Sequence, residues 1–179
     1  MTTTTQLSAL TGDYVLDTTR TRIGFTARAM MISKVRGQFD VFEGRAHLDG
    51  ATPSKCTVQL TIRAASVQTR NAKRDDHLRG TDFLDAVGHP TITFVSTRVE
   101  QVDETGFKVT GDLTVRGITK PVTVDFRLTD TASGAASTGR VRLTGTATVN
   151  RKEWGVDGGT GMVGEKVALS FDVTAIRQS

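Results

Sequence analysis

Sulfur chemistry is nearly absent from this chain: Cys56 is the one cysteine in 179 residues, so no internal disulfide can form. It falls in register with Val58 and Leu60 and reads as a small buried hydrophobe, whereas a reactive thiol needs an accessible, electropositive setting. Histidine is scarce too. His47, His77 and His89 stand far apart without i,i+4 pairing, so neither a metal site nor a cofactor is expected. Aromatics make up 6% of the chain and do not interleave with its scattered basic residues. The net charge of +4 therefore predicts attraction to phosphates or anionic lipid surfaces, not a nucleic-acid interface. No stretch approaches the roughly 20 apolar residues of a membrane helix. The opening Met-Thr-Thr-Thr-Thr-Gln lacks the basic start and apolar run of a secretory signal, and a cytoplasmic location is the expectation. The glycines from Gly159 to Gly164 do not form a phosphate loop. The lysine is displaced by one, no Ser or Thr follows it, and the next segment alternates instead of opening a helix. No Ser-His-Asp or Cys-His arrangement can be argued.

What the chain does have is strict alternation. From Thr57 to Arg63, Val58, Leu60 and Ile62 share one face while Thr57, Gln59, Thr61 and Arg63 share the other. The pattern returns at Val122, Val124, Phe126 and Leu128, and at Val167, Leu169, Phe171, Val173 and Ala175. Side chains along a strand alternate between faces, so each such segment is a half-buried strand. Strands are predicted at roughly 12–18, 22–29, 35–48, 55–65, 91–103, 106–116, 118–130, 138–150 and 165–177. Residues 1–11 read as a disordered polar tail and 12–178 as one domain. Turn chemistry separates the strands, and Gly44 suggests a bend within the third. One polar excursion, residues 66–90, breaks the pattern. Its stretch from Asn71 to Leu78 is helix-compatible, with Asp75 and Arg79 at ion-pair spacing, and Asp82-Phe-Leu-Asp85 suggests a second helical turn.

If consecutive strands are neighbours, connections alternate between the two ends of the sheet. Residues 19–21, 49–54, 104–105 and 131–137 then fall at one end. Residues 30–34, 66–90, 116–117 and 151–164 gather at the other, where a ligand entrance is expected. The inward stripe comprises Phe25, Ala27, Phe39, Val58, Leu60, Ile62, Phe94, Val109, Leu113, Val124, Phe126, Leu143, Leu169 and Phe171. It is generous in small residues (Ala27, Gly111, Gly145, Ala147, Ala175), which predicts empty apolar volume instead of a solid core. The entrance is expected to carry Met30, Met31, Lys34, Arg36, Arg74, His77, Arg116 and Trp154, with the cations meeting a polar or anionic head group.

Four clusters keep a common order: Val35-Arg-Gly-Gln-Phe39; Arg74-Asp-Asp-His-Leu78 with Asp82-Phe-Leu-Asp85 and Pro90-Thr-Ile-Thr-Phe94; Gly111 to Val122; and Asn150-Arg-Lys-Glu-Trp-Gly155 with Val163-Gly-Glu-Lys-Val167. Together, from Tyr14 to Ile176, they resemble the YceI-like, polyisoprenoid-binding family. The resemblance implies an all-β, extended antiparallel, eight-stranded, lipocalin-like up-and-down barrel with a short helical excursion at about 70–86. It also implies an apolar interior that holds a long isoprenoid chain without catalysis, and an excursion locked on the barrel end by Asp76, His77 and Leu78. The chain departs from the family at Tyr14 (commonly Trp), Thr21-Arg22 (His-Ser), Ala29 (His) and Trp154 (Phe), changes that bear on head-group preference.

The expected function is binding of a prenyl quinone or polyprenyl phosphate as a carrier, storage or sensing module. The runner-up is an enzyme acting on an isoprenoid or fatty substrate in the same cavity, which would need an inward acid or base. A third reading is a lipid-free interaction module using the outer β surface. Expected partners are a long-chain isoprenoid lipid and, transiently, a membrane surface, with room for a homodimer.

Overall fold

The strands follow from alternation of β-branched and threonine residues with period two. The C-terminal strand shows this over fifteen residues, half-buried positions alternating with exposed ones along most of its length. In the computed structural model, which describes residues 9–29, 33–129, 139–159 and 163–178, eleven strands form one sheet. They are β1 (Gly12–Leu16), β2 (Arg22–Ala29), β3 (Ser33–Phe39), β4 (Phe42–Leu48), β5 (Thr57–Arg63), β6 (Val67–Gln68), β7 (Thr91–Gln101), β8 (Gly106–Val115), β9 (Ile118–Leu128), β10 (Arg140–Asn150) and β11 (Val163–Arg177). Among the described residues a single α-helix, α1 (Ala72–Arg79), interrupts them.

The sheet closes through pairing of β1 with β11, giving an eight-strand ring β1-β4-β5-β7-β8-β9-β10-β11. The remaining short strands are continuations of its members. β1 and β2 both run antiparallel to β11, β1 against residues 175–177 and β2 against 163–172. They are two stretches of one long strand. Between them the chain stays on β11, because the Asp17 amide donates to the Thr174 carbonyl at 2.9 Å and the Thr21 hydroxyl both donates to that carbonyl and accepts from the Thr174 amide. In the same way β3 and β4 pair with β2 and β1, and β5 and β6 pair with β4 and β3.

This corrects three expectations. Residues 19–21 do not reverse the chain; the Asp-Thr-Thr sequence makes a local side-chain turn, in which Asp17 accepts from Thr19, inside a continuing strand. The third segment bends at residues 40–41, not at Gly44, which lies within β4 where an added Cβ would come within 2.7 Å of Leu16. The barrel also begins earlier than residue 12. Leu10 is buried, and its carbonyl accepts from the Tyr14 hydroxyl at 2.7 Å. Predicted connections at 131–137 lie outside the described residues.

The excursion departs from β6 and re-enters at β7. Asn71 caps α1 by accepting from the Arg74 amide. Asp75 is buried and accepts from the amide and hydroxyl of Thr69. Arg79 therefore pairs with Asp76 (2.9 Å), not with Asp75. Residues 82–85 form hydrogen-bonded turns closed on Gly80 and Leu78, not a second helix.

Candidate functional site

Inward side chains of an eight-stranded barrel either fill it or leave room for one ligand. Here the buried residues fall into three separate clusters, around Tyr14 and Val141, around Phe94 and Val124, and around Ile23 and Ile62. An ordinary domain has one contiguous core. Between the clusters, inward residues such as Leu60, Phe126, Leu143, Leu169 and Phe171 are only half-buried, because part of their surface faces a cavity. That cavity is about 360 Å³, reaches from Leu10 and Tyr14 at one end to Phe83, Trp154 and Val156 at the other, and has an almost wholly hydrocarbon wall.

Glycines position the aromatic wall. Phe25 faces Gly37 and Phe126 faces Gly145 as direct cross-strand partners, and Phe94 lies over Gly111. A Cβ at any of the three would sit at 2.3–2.5 Å from the ring. Each ring therefore lies against a bare stretch of the neighbouring strand. The small inward residues Gly111 and Gly145 are thus not empty volume, as the composition suggested; they are seats for phenyl rings, which keeps those rings on the wall and out of the lumen.

The end formed by the excursion, the β8–β9 turn and the β10–β11 connection is closed by a cap. Arg116 and Gly117 form a two-residue hairpin turn with φ values of 53° and 74°. Arginine is disfavoured in this left-handed conformation, but its guanidinium donates to the carbonyls of Thr81 and Phe83, both at 2.6 Å. Arg151 is buried and donates to the carbonyls of Val156, Val163 and Gly164. Burial pulls its guanidinium below the usual range, opposed by the charges of Asp157 and Glu165, and it lies 5.8 Å from the Phe83 ring. Trp154, buried, donates from its indole to the Leu113 carbonyl at 2.9 Å. The Gly158 amide ties the last connection to Asp82. At the far end a buried cluster gathers around Tyr14, over whose ring Arg177 lies.

A family model for the YceI-like domain matches residues 14–175. This chain belongs to the YceI-like family. A UPF0312 protein of Ectopseudomonas mendocina is 33% identical over 172 residues, covering 95% of this chain and 90% of its own. Among solved structures, Burkholderia cenocepacia BcnA superposes with a TM-score of 0.81 at 24% identity, over 89% of this chain and 98% of BcnA. A polyisoprenoid binding domain from Saccharophagus degradans superposes with a TM-score of 0.71 at 15% identity, over 92% and 98%. Both show the same fold.

In this YceI-like chain, the whole inward stripe read from alternation, Phe25 through Phe171, lines the cavity. Not all of it is loosely held: Ile62 is buried in a packed cluster and serves the core as well as the wall. Of the residues expected at the entrance, Trp154 lines the cavity, and Met30 and Met31 lie outside the described residues. The expected head-group cations do not line the cavity. Lys34 and Arg36 are exposed on the outer face of β3, because Val35, Gly37 and Phe39 take the inward parity. Arg74 is spent on Thr69, donating to its hydroxyl at 2.7 Å and its carbonyl at 2.8 Å. His77 is exposed, 3.1 Å from Asp82, with its ring edge on Phe83. Arg116 clasps loop carbonyls. Leu78 of the expected lock does line the cavity, but Asp76 faces Arg79 at the surface. Among the cavity-lining residues that sequence reasoning missed are Arg151, Tyr14 and Leu10. A basic residue where a two-residue turn favours Asn was the available signal for Arg116; nothing local marked Arg151 as buried. Cys56 is half-buried on the cavity wall, where burial pushes its thiol up. Among the described residues, no three His, Cys, Asp or Glu side chains come together as metal ligands.

Proposed function

We propose that this protein is a binding module for a long polyisoprenoid chain, of prenyl quinone or polyprenyl phosphate type, held in the barrel interior as a carrier, store or sensor. One observation carries the reading: a hydrocarbon-walled cavity that runs between the buried clusters and divides the core. Its walls suit an extended chain. Each buried CH₂ contributes about 0.8 kcal/mol, so several isoprene units bind tightly without any polar contact. The Saccharophagus degradans domain, a polyisoprenoid binding domain of like fold, supports the same class of ligand. Binding is favoured over turnover by the nearly hydrocarbon wall, whose one carboxylate among the described residues, Asp49, accepts from the Ala51 and Thr52 amides and whose buried arginine is engaged by three backbone carbonyls. Organic extraction of the purified protein followed by mass spectrometry tests the proposal. A polyprenyl series at near-stoichiometric yield is the expected result; extracts with no lipid, from protein expressed in several hosts, would overturn it.

A further inference from the structure

The outer face of β11, β2 and β3 changes its charge along the barrel. Midway, Asp172 stands opposite Arg22 in register and lies 3.7 Å from Arg142, so the charges there are balanced. The next positions, Ser170, Gly24 and Gln38, are neutral. Nearer the cap, the exposed charges of the three strands are cations apart from Glu165 on β11. Arg28 and Lys34 are direct cross-strand partners, Arg36 follows one step along opposite Thr26, and Lys166 precedes Val167, the partner of Ala27, at a bulge in β11 whose Gly164 lies against Arg28. All four side chains are exposed, and none makes an ion pair among the described residues. The nearest acid, Glu165, is taken by Lys152 at 3.1 Å and by Asn150. Elsewhere on the barrel several cations meet acids, Lys108 with Asp125, Arg127 with Asp103 and Arg98 with Glu100, and those that make no ion pair among the described residues, such as Arg45, Arg63 and Lys120, are not gathered on three adjacent strands at one end.

Like charges placed directly across an antiparallel pair are destabilising, so the Arg28–Lys34 pairing works against the fold. Protection of an edge strand accounts for cations on β3, which among the described residues has no strand partner from 33 to 37 on its free side. It does not account for Arg28 and Lys166, which sit on interior strands. On the reverse side of β2 and β3, Phe25, Ala27 and Phe39 are cavity wall. The cationic face and the unpaired edge thus adjoin the apolar cavity at one place.

The geometry points to a docking surface, formed by Arg28, Lys34, Arg36 and Lys166, for the anionic face of a lipid bilayer, seating the free edge of β3 where a lipid would pass. This rests on the lipid-binding reading above and adds the surface from which lipid is exchanged. The exposed array spans three strands and lacks interleaved aromatics, which suits a field of anionic head groups and not a base-stacking surface. The test is co-sedimentation of the full chain with phosphatidylcholine vesicles containing or lacking phosphatidylglycerol, at low and high salt. Wild type should bind only the anionic vesicles, and less with salt. The variant R28Q/K34Q should bind about thirtyfold more weakly, from the loss of two surface cations. R36Q/K166Q should behave alike, while K55Q/R98Q, equal in charge but away from the face, should bind as wild type. Equal losses in K55Q/R98Q would overturn the docking surface, as would tighter binding to an oligonucleotide duplex than to the vesicles. Lipid extraction from the same preparations separates the two readings. Wild type that carries polyprenyl lipid yet ignores anionic vesicles refutes docking alone. R28Q/K34Q that keeps its lipid but loses the vesicles supports it.

Discussion

Gly145 and Gly111 each lie under a phenyl ring, yet the same substitution should act differently at the two. At Gly145 the three atoms nearest the added Cβ all belong to the Phe126 ring, 2.5–3.1 Å away, and a ring bordering a cavity can swing. At Gly111 the Cβ also meets the Val95 carbonyl oxygen at 2.7 Å, which belongs to the sheet and cannot move alone. Gly145→Ala should therefore cost about 1–3 kcal/mol, typical of overpacking, and lose lipid because Phe126 enters the lumen. Gly111→Ala should cost more stability, since the β7–β8 ladder has to shift. Chemical denaturation together with lipid content per protein distinguishes the outcomes; equal stability losses at both sites would show that the ring at Gly145 is as confined as the backbone. The aromatic and aliphatic wall was legible residue by residue, because alternation assigns faces. The ring seats were not, because they depend on register: Phe126 meets Gly145 only once β9 and β10 are aligned.

At the scale of elements, closure of the cap rests on a few long side chains reaching backbone carbonyls. Arg116 is the clearest, holding the excursion at Thr81 and Phe83 from a turn its own backbone disfavours. Arg116→Asn should improve the turn locally while releasing the excursion, so global stability should change by under about 1 kcal/mol while release of bound lipid accelerates. Stopped-flow transfer of a fluorescent polyprenol to acceptor vesicles checks this; an unchanged release rate would place the exit elsewhere. Strand existence, the excursion and the helix at 72–79 could all be read from pattern and punctuation. The joining of β1 to β2 could not. Asp-Thr-Thr at 17–19 has the same local chemistry in a reversing turn and in an interruption, and what decides is the length of β11, which offers Thr174 as a partner to the chain on both sides of the gap. The end-to-end parity survived this error because every later connection keeps its alternation. The partners of the cations were not legible for a related reason: alternation tells inside from outside, while Arg116 is engaged by carbonyls 35 and 33 residues away and Arg151 by those of its own connection.

At the scale of the molecule, the barrel forgoes part of the stabilisation that an ordinary core supplies. Three clusters hold it at its ends and along one side, and the half-buried rings and leucines between them leave apolar surface unmatched by protein. A void too small or too apolar for water loses its dispersion partners, and a hydrocarbon chain restores them. Ligand and fold are therefore linked: whatever binds only the folded barrel raises its stability by RT ln(1 + [L]/Kd), about 2.7 kcal/mol at a hundredfold excess over Kd. For a chain of this size each kcal/mol moves the melting temperature by about 2–4 °C. Removing the lipid by solvent extraction and refolding should thus lower the melting temperature by about 5–10 °C, and adding back a polyprenol should restore it. A saturated fatty alcohol of equal carbon number should restore less if the wall is shaped to branched methyls, as its seated phenyl rings suggest. A delipidated barrel that melts at the temperature of the loaded one, with no response to polyprenol, would mean the interior is packed well enough by its own side chains and that the cavity is not a binding site.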